Sequence, residues 1–183
     1  PLHNEDKNQI IQNLKNMKRA IAISNENFIV TNGTDEDLAQ YFAIGNETMI
    51  ISDDFDKLSQ NDIYQIMCAG RKEEYEKILQ GTKNAKIAAW WDKAVDIIPA
   101  NGGKGNAVNA VLKYYGFSKE EAIAFGDGQN DIEMLEAVGT GVAMGNAKDE
   151  VKEKADVVCK SVEEDGVYYY CLENKLITEI DEL

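Results

Sequence analysis

The stretch EAIAFGDGQNDIEML (121–135) sets two carboxylates, Asp127 and Asp131, four residues apart, where an apolar run gives way to a helical pattern. Acids held that close repel unless a cation lies between them, and carboxylate oxygens are the ligands of a hard cation such as Mg²⁺. Gly126 and Gly128 flank Asp127, and glycine lets the backbone bend sharply or approach a ligand closely. Lys104 opens a predicted helix, where a cation opposes the helix dipole at a cost on the order of 0.3–1 kcal/mol. That placement reads either as a solvated lysine or as a lysine aimed at an anion. Asp and Asn also follow strands simply because they cap helices and close turns, so G-D-x-x-N-D by itself admits a purely structural reading.

These residues need elements to hold them. AIAFG (122–126), GVAMG (141–145) and DVVCK (156–160) read as short apolar strands, each followed or separated by helical patterns over 131–138, 147–155 and 166–177. A further helix runs from Lys104 to Tyr115 and stops at Gly116. Alternation of this kind predicts a parallel α/β sheet buried on both faces. Ligands of such sheets bind at the carboxyl ends of the strands, where Asp127 follows AIAFG and Asn146 follows VAM. Asn130 is predicted to cap the helix starting at Asp131, with Glu133 reaching back as in a capping box. The helix start would then aim N–H groups at a phosphate.

Residues 1–99 have a different grammar. A helix from Asn4 to about Met17 precedes the strands AIAIS (20–24) and FIVTN (27–31), joined by a tight turn. A helix over 35–42, a strand IYQIMCA, a helix RKEEYEKILQ and a hairpin AKIAAWW/AVDIIPA around Asp92-Lys93 follow. The order predicts an α+β module with helices on an antiparallel sheet, and Trp90 and Trp91 on opposite faces of their strand. PANGGKG (99–105) breaks any regular element and marks a linker. The fold class is therefore α/β, a partial Rossmann-like parallel sheet in 100–183 preceded by the α+β module.

Composition narrows the chemistry. A net charge of −14 argues against nucleic-acid binding, which needs a basic face, and leaves any phosphorylated ligand dependent on a metal or a placed lysine. No apolar run reaches the roughly 20 residues of a membrane span. Three cysteines without CxxC spacing predict reduced, mostly buried thiols and a cytoplasmic protein. The single histidine, His3, sits near the start of the chain, which removes Ser-His and Cys-His mechanisms and histidine-rich zinc sites. Tyr168, Tyr169 and Tyr170 read as helix packing and surface, Asp53, Asp54 and Asp56 as a solvated acidic turn, and EIDEL as a plain acidic end.

The segment GGKGNAVNAVLKYYGFSKEEAIAFGDGQNDIEMLEAVGTGVAMGNAKDEVKEKADVVCKSVEEDGV (102–167) resembles the second half of the core of haloacid dehalogenase-like phosphatases of the Cof type, with Lys, strand, G-D-x-x-N-D, VAMGNA and ADVV in that order. The first hundred residues resemble that branch's α+β cap in their order of elements. The resemblance implies an Mg²⁺-dependent hydrolysis of small phosphorylated metabolites, such as sugar phosphates, through an aspartyl-phosphate. It implies that Lys104 contacts the phosphoryl group and the nucleophile, that Asp127 coordinates Mg²⁺, that Asp131 supports the metal site, that Asn130 contacts phosphate and that Asn146 lies nearby. The family's nucleophile lies in a D-x-D-G-T motif, which this chain does not contain; the nearest string, NGTDED (32–37), follows a cap-type strand and is not given that role. The chain thus reads as cap plus half of a core, completed by a missing N-terminal segment or by self-association. A non-catalytic phosphate- or metal-binding module and a self-associating fragment are the alternatives.

Overall fold

The computed structural model describes residues 1–178 of the 183; EIDEL begins at residue 179 and lies outside them. The chain divides into two compact units, Pro1–Gly102 and Gly103–Leu183.

In the first unit, Ile10, Ile11 and Leu14 recur at helical spacing, so helix α1 (Asn4–Asn16) buries all three. Strands β1 (Ile21–Ser24) and β2 (Ile29–Thr31) pair antiparallel. Their turn is closed by the Asn25 side chain, which accepts from the N–H groups of Asn27 and Phe28. Helix α2 (Glu36–Ile44) starts at Asp35, whose carboxylate accepts from the N–H groups of Leu38 and Ala20. That carboxylate, inside the NGTDED string, is thereby committed to holding a helix end.

The unit continues with α3 (Phe55–Leu58), β3 (Gln65–Ala69), α4 (Tyr75–Ile78), β4 (Ala85–Ala88) and β5 (Ala94–Pro99). The five strands form an antiparallel sheet in the order β2-β1-β3-β5-β4. Because side chains alternate across a strand, Ile21, Ile23, Ile66, Val95 and Ile97 gather on one face with the buried residues of α1. Ala22, Met67 and Ala94 gather on the other, under Leu38, Tyr41 and Phe42 of α2. The register opposes Met67 to Asp96, which puts a carboxylate on that second face.

The second unit begins with α5 (Lys104–Tyr115), ended by Gly116 in the left-handed conformation at φ 73°. Strand β6 (Ile123–Gly126), helix α6 (Ile132–Glu136), strand β7 (Thr140–Ala143), helix α7 (Asp149–Lys152), strand β8 (Val157–Val158) and helix α8 (Gly166–Glu173) follow. The sheet is parallel, in the order β6-β7-β8. Its core is small: Ala124, Leu135, Val138, Ala143, Ala147 and Val151. Together the antiparallel and the parallel sheet make a mixed α/β protein. No helix of the described residues is long and apolar enough to cross a membrane.

Several expectations change. RKEEYEKILQ is a 3₁₀ turn (Lys72–Glu74) followed by the single turn α4, because Glu74 bonds back to the Arg71 N–H and also takes the Arg19 guanidinium. The strand AKIAAWW stops at Ala88. Trp90 and Trp91 lie in the bend, their rings stacked at 6.4 Å and 26° instead of opposed across a strand, and the Trp90 indole N–H donates to the Tyr41 hydroxyl. Of the cysteines, all unpaired, only Cys68 is buried, and burial pushes its thiol up to about 12. Burial of the parallel sheet on both faces also fails at β8, where Val157 and Val158 are 41% and 49% exposed, because a two-residue outer strand has a neighbour on one side only.

Candidate active site

Asp127 leaves the carboxyl end of β6 and Asn146 that of β7, in parallel register, because Phe125 stands beside Val142 and Gly126 beside Ala143. Two consecutive strand ends therefore deliver their polar residues to the same rim. The Asn146 amide nitrogen donates to Asp127 Oδ2 at 3.0 Å, and its Oδ1 accepts from the Val162 N–H at 3.0 Å. The second bond fixes which way the amide points, so the first holds the Asp127 carboxylate in one orientation.

Asp131 closes the loop from the other side. Its Oδ2 accepts from the N–H groups of Asp127 and Gly128, both at 3.0 Å, and its Oδ1 takes the Lys104 ammonium. The Asp131 side chain is nearly fully buried, whereas that of Lys104 remains about half exposed. Burial pushes the Asp131 carboxyl up, but the Lys104 bond and the two amides together outweigh it and hold the carboxyl below the ordinary aspartate value. The loop has no room for a side chain at Gly126, where a Cβ would lie 2.5 Å from the Asp131 Cβ.

The local structure departs from the sequence expectation here. The helix does not start at Asp131 with Asn130 as cap; a 3₁₀ turn, Gln129–Asp131, comes first, and α6 has only five residues. The capping acid is Asp131. The amides of Asp127 and Gly128 are consumed by it, so they are not offered to a phosphate. A short polar loop leaving a strand has too few residues to reach helical pitch at once, and the nearest carboxylate closes it. Asn130 sits on that turn with its amide oxygen folded over Gly128, and it makes no hydrogen bond to Lys104, Asp127 or Asp131.

Lys104, Asp127, Asp131 and Asn146 are thus one hydrogen-bonded group; Asn130 is adjacent to it and not bonded into it. The donor set suits a hard cation in one respect. No described residue donates to Asp127 Oδ1, while both Asp131 oxygens are engaged, and Mg²⁺ is held in many sites by one or two carboxylates and retained waters. The described residues contain no group of three or more His, Cys, Asp or Glu that could form an all-protein cage.

Two residues of the first unit escaped the sequence analysis, Asp96 and Gln65. The signal was an acid inside AVDIIP and an amide inside IYQIMCA, polar side chains in otherwise apolar runs.

The chain matches the family model described as haloacid dehalogenase-like hydrolase over residues 1–171. It is 41% identical over 108 residues to a putative phosphatase of Bacillus subtilis (strain 168), a match covering 59% of this chain and 42% of that protein. It is 41% identical over 102 residues to the pyridoxal phosphate phosphatase of Escherichia coli (strain K12), covering 55% of this chain and 35% of that one. Among solved structures, the HAD subclass IIB sugar phosphatase BT4131 superposes with a TM-score of 0.87 at 24% identity, over 96% of this chain and 68% of that one. The matched stretches span from about a third to less than half of the two curated relatives. With the family match running nearly the length of the chain, and with the acids, the lysine and the strand ends arranged as found, this protein belongs to the haloacid dehalogenase-like hydrolases.

Proposed function

We propose that this chain carries the metal- and phosphate-holding side of a phosphatase that hydrolyses monoesters of small phosphorylated metabolites, sugar phosphates among them. The observation that carries the reading is the Lys104–Asp131 ion pair, fixed to the loop that presents Asp127. In a chain of net charge −14, an anionic ester needs local positive charge, and Lys104 supplies it at a site where one carboxylate oxygen is open to a cation. The curated relatives above are named as phosphatases, and the structural neighbour as a sugar phosphatase.

Each residue then has a task. Asp127 holds Mg²⁺, and Asp131 supports the metal site by fixing Lys104 and the N–H groups of Asp127 and Gly128. When bound, Mg²⁺ offsets charge developing on the phosphoryl oxygens. Asp131 keeps the ammonium in place before the ester arrives, so little side-chain freedom is lost on binding. Asn146 sets the rotation of the Asp127 carboxylate, and Asn130 contacts the phosphate. The nucleophilic aspartate of an aspartyl-phosphate route belongs to a D-x-D-G-T strand, a string these 183 residues lack. We assign that strand to a further polypeptide segment, which would pair along the open edge of β6. Pro1–Gly102 acts as the specificity cap of a cytoplasmic enzyme.

The test uses the chain as it stands. With Mg²⁺ and p-nitrophenyl phosphate it should show no turnover above background, while calorimetry detects Mg²⁺-dependent binding of inorganic phosphate that disappears in Asp127→Ala. Turnover abolished by Asp127→Ala would overturn the assignment of the nucleophile elsewhere. Absence of phosphate binding would overturn the site. The missing D-x-D-G-T string also favours a second reading, a module that binds without hydrolysis. Restoring a D-x-D-G-T segment separates the two, since only the phosphatase then turns over.

A further inference from the structure

The second unit gathers three sulfur atoms that the phosphate site does not use. Met144 follows β7, Cys159 follows β8 and Cys171 lies on α8. The parallel register sets Ala143 beside Val158, so Met144 and Cys159 leave neighbouring strand ends together. The Cys159 sulfur stands 3.6 Å from the Met144 thioether sulfur. Tyr170, the residue before Cys171, meets the Phe125 ring edge-on at 5.4 Å and holds α8 against the sheet. Cys171 is near enough that its charge raises the Cys159 thiol. Met144 is buried, both cysteines are half-buried, and Cys159 borders a cavity of about 290 Å³ that gives a small ion a way in.

Packing does not call for sulfur at these positions, since apolar side chains of similar volume fill such space equally well. The spacing suits a shared ion. Two sulfurs each about 2.3 Å from one metal stand roughly 3.8–4 Å apart at tetrahedral or trigonal angles, within a few tenths of an ångström of the separation here. Burial holds the Cys159 thiol above its ordinary value, against the N–H groups of Cys159 and Gly145, which favour the thiolate. A soft cation completes that ionisation: each S–H bond breaks, its proton passes to solvent, and the sulfur lone pair binds the metal. The thioether selects which cation. Zinc takes thiolate, imidazole or carboxylate, and no group of three or more His, Cys, Asp or Glu among the described residues could hold a metal. Two thiolates with a thioether suit Cu(I).

We propose that Met144, Cys159 and Cys171 form a three-sulfur binding site for Cu(I). The ion lies between the ends of β7 and β8 and draws in Cys171 from α8, so it ties together three elements of the smaller core. The inference goes beyond the phosphate-site reading and stands apart from it, because the two sites share no residue.

The test is a competition for copper. The full chain, reduced and free of oxygen, should withdraw one equivalent of Cu(I) from its coloured bicinchoninate complex. Cys68→Ser should do the same, since Cys68 is buried in the other unit. Cys159→Ser, Cys171→Ser and Met144→Leu should each bind at least tenfold more weakly, with unchanged far-ultraviolet spectra. A second measurement needs no variant: Cu(I) should protect Cys159 and Cys171 of the parent chain from iodoacetamide, as located by peptide mass, whereas Zn²⁺ should not. No transfer of copper, parental affinity in any of the three weakened variants, loss of binding in Cys68→Ser, or alkylation unaffected by Cu(I) would each overturn the proposal. Failure of the phosphate site would leave the copper titration unchanged.

Discussion

Two aspartates in this molecule respond to pH in opposite directions, and the reason lies in their partners. Asp131 titrates below its unfolded value, so its ionised form stabilises the fold. That contribution is present above the unfolded value, near pH 3.9, and is lost as pH falls through the lower folded one. Asp131→Asn should therefore destabilise the second unit at pH 7 by on the order of 1–3 kcal/mol, since the ammonium and two amides lose their charged acceptor. The deficit against the parent should shrink as urea unfolding is repeated at decreasing pH. Asp96 titrates above its unfolded value, so its contribution is greatest below that value and declines as pH rises through the folded one. Asp96→Asn should gain stability relative to the parent at pH 7, with the gain fading towards pH 3.

At the scale of elements, the sequence patterns located the strands well and the helix lengths poorly. IAIS, IVT and IAFG were legible because continuous Ile, Val, Ala and Phe in short runs bounded by turn residues leave few alternatives. The helix after β6 and the one after Arg71 were not, because acidic side chains fold back on the N–H groups that precede them, Asp131 onto Asp127 and Gly128 and Glu74 onto Arg71, and the first turn takes 3₁₀ geometry. For the same reason the site was legible in its members and not in its wiring. Spacing brought Asp127 and Asp131 forward, but the division of labour between an acid facing the ligand and an acid gripping a lysine depends on where the loop turns. Gly126→Ala tests that loop. Its Cβ would meet Asp131 at 2.5 Å, so the substitution should displace the Asp131 clamp and abolish Mg²⁺-dependent phosphate binding. The expected stability loss is about 1–3 kcal/mol, read by urea unfolding.

Across the whole molecule, two hydrophobic cores of unequal size share one chain. The five-stranded sheet of Pro1–Gly102 is packed on both faces, whereas the three-stranded sheet of the second unit rests on a small cluster of mostly short side chains and ends in an exposed two-residue strand. Hydrogen exchange should accordingly persist longest at the amides of β1, β3 and β5 and be lost earlier across β6, β7 and β8. Mg²⁺ with phosphate should slow exchange in the second group, by mass action on the state that binds. The location of the indoles adds a practical result. Trp90 and Trp91 both belong to Pro1–Gly102, so a thermal melt followed by their emission is blind to the half of the protein that carries Lys104, Asp127 and Asp131. Melts recorded by emission and by far-ultraviolet dichroism should part company, and the gap between them is the stretch of temperature over which the parallel-sheet half has melted and the other has not.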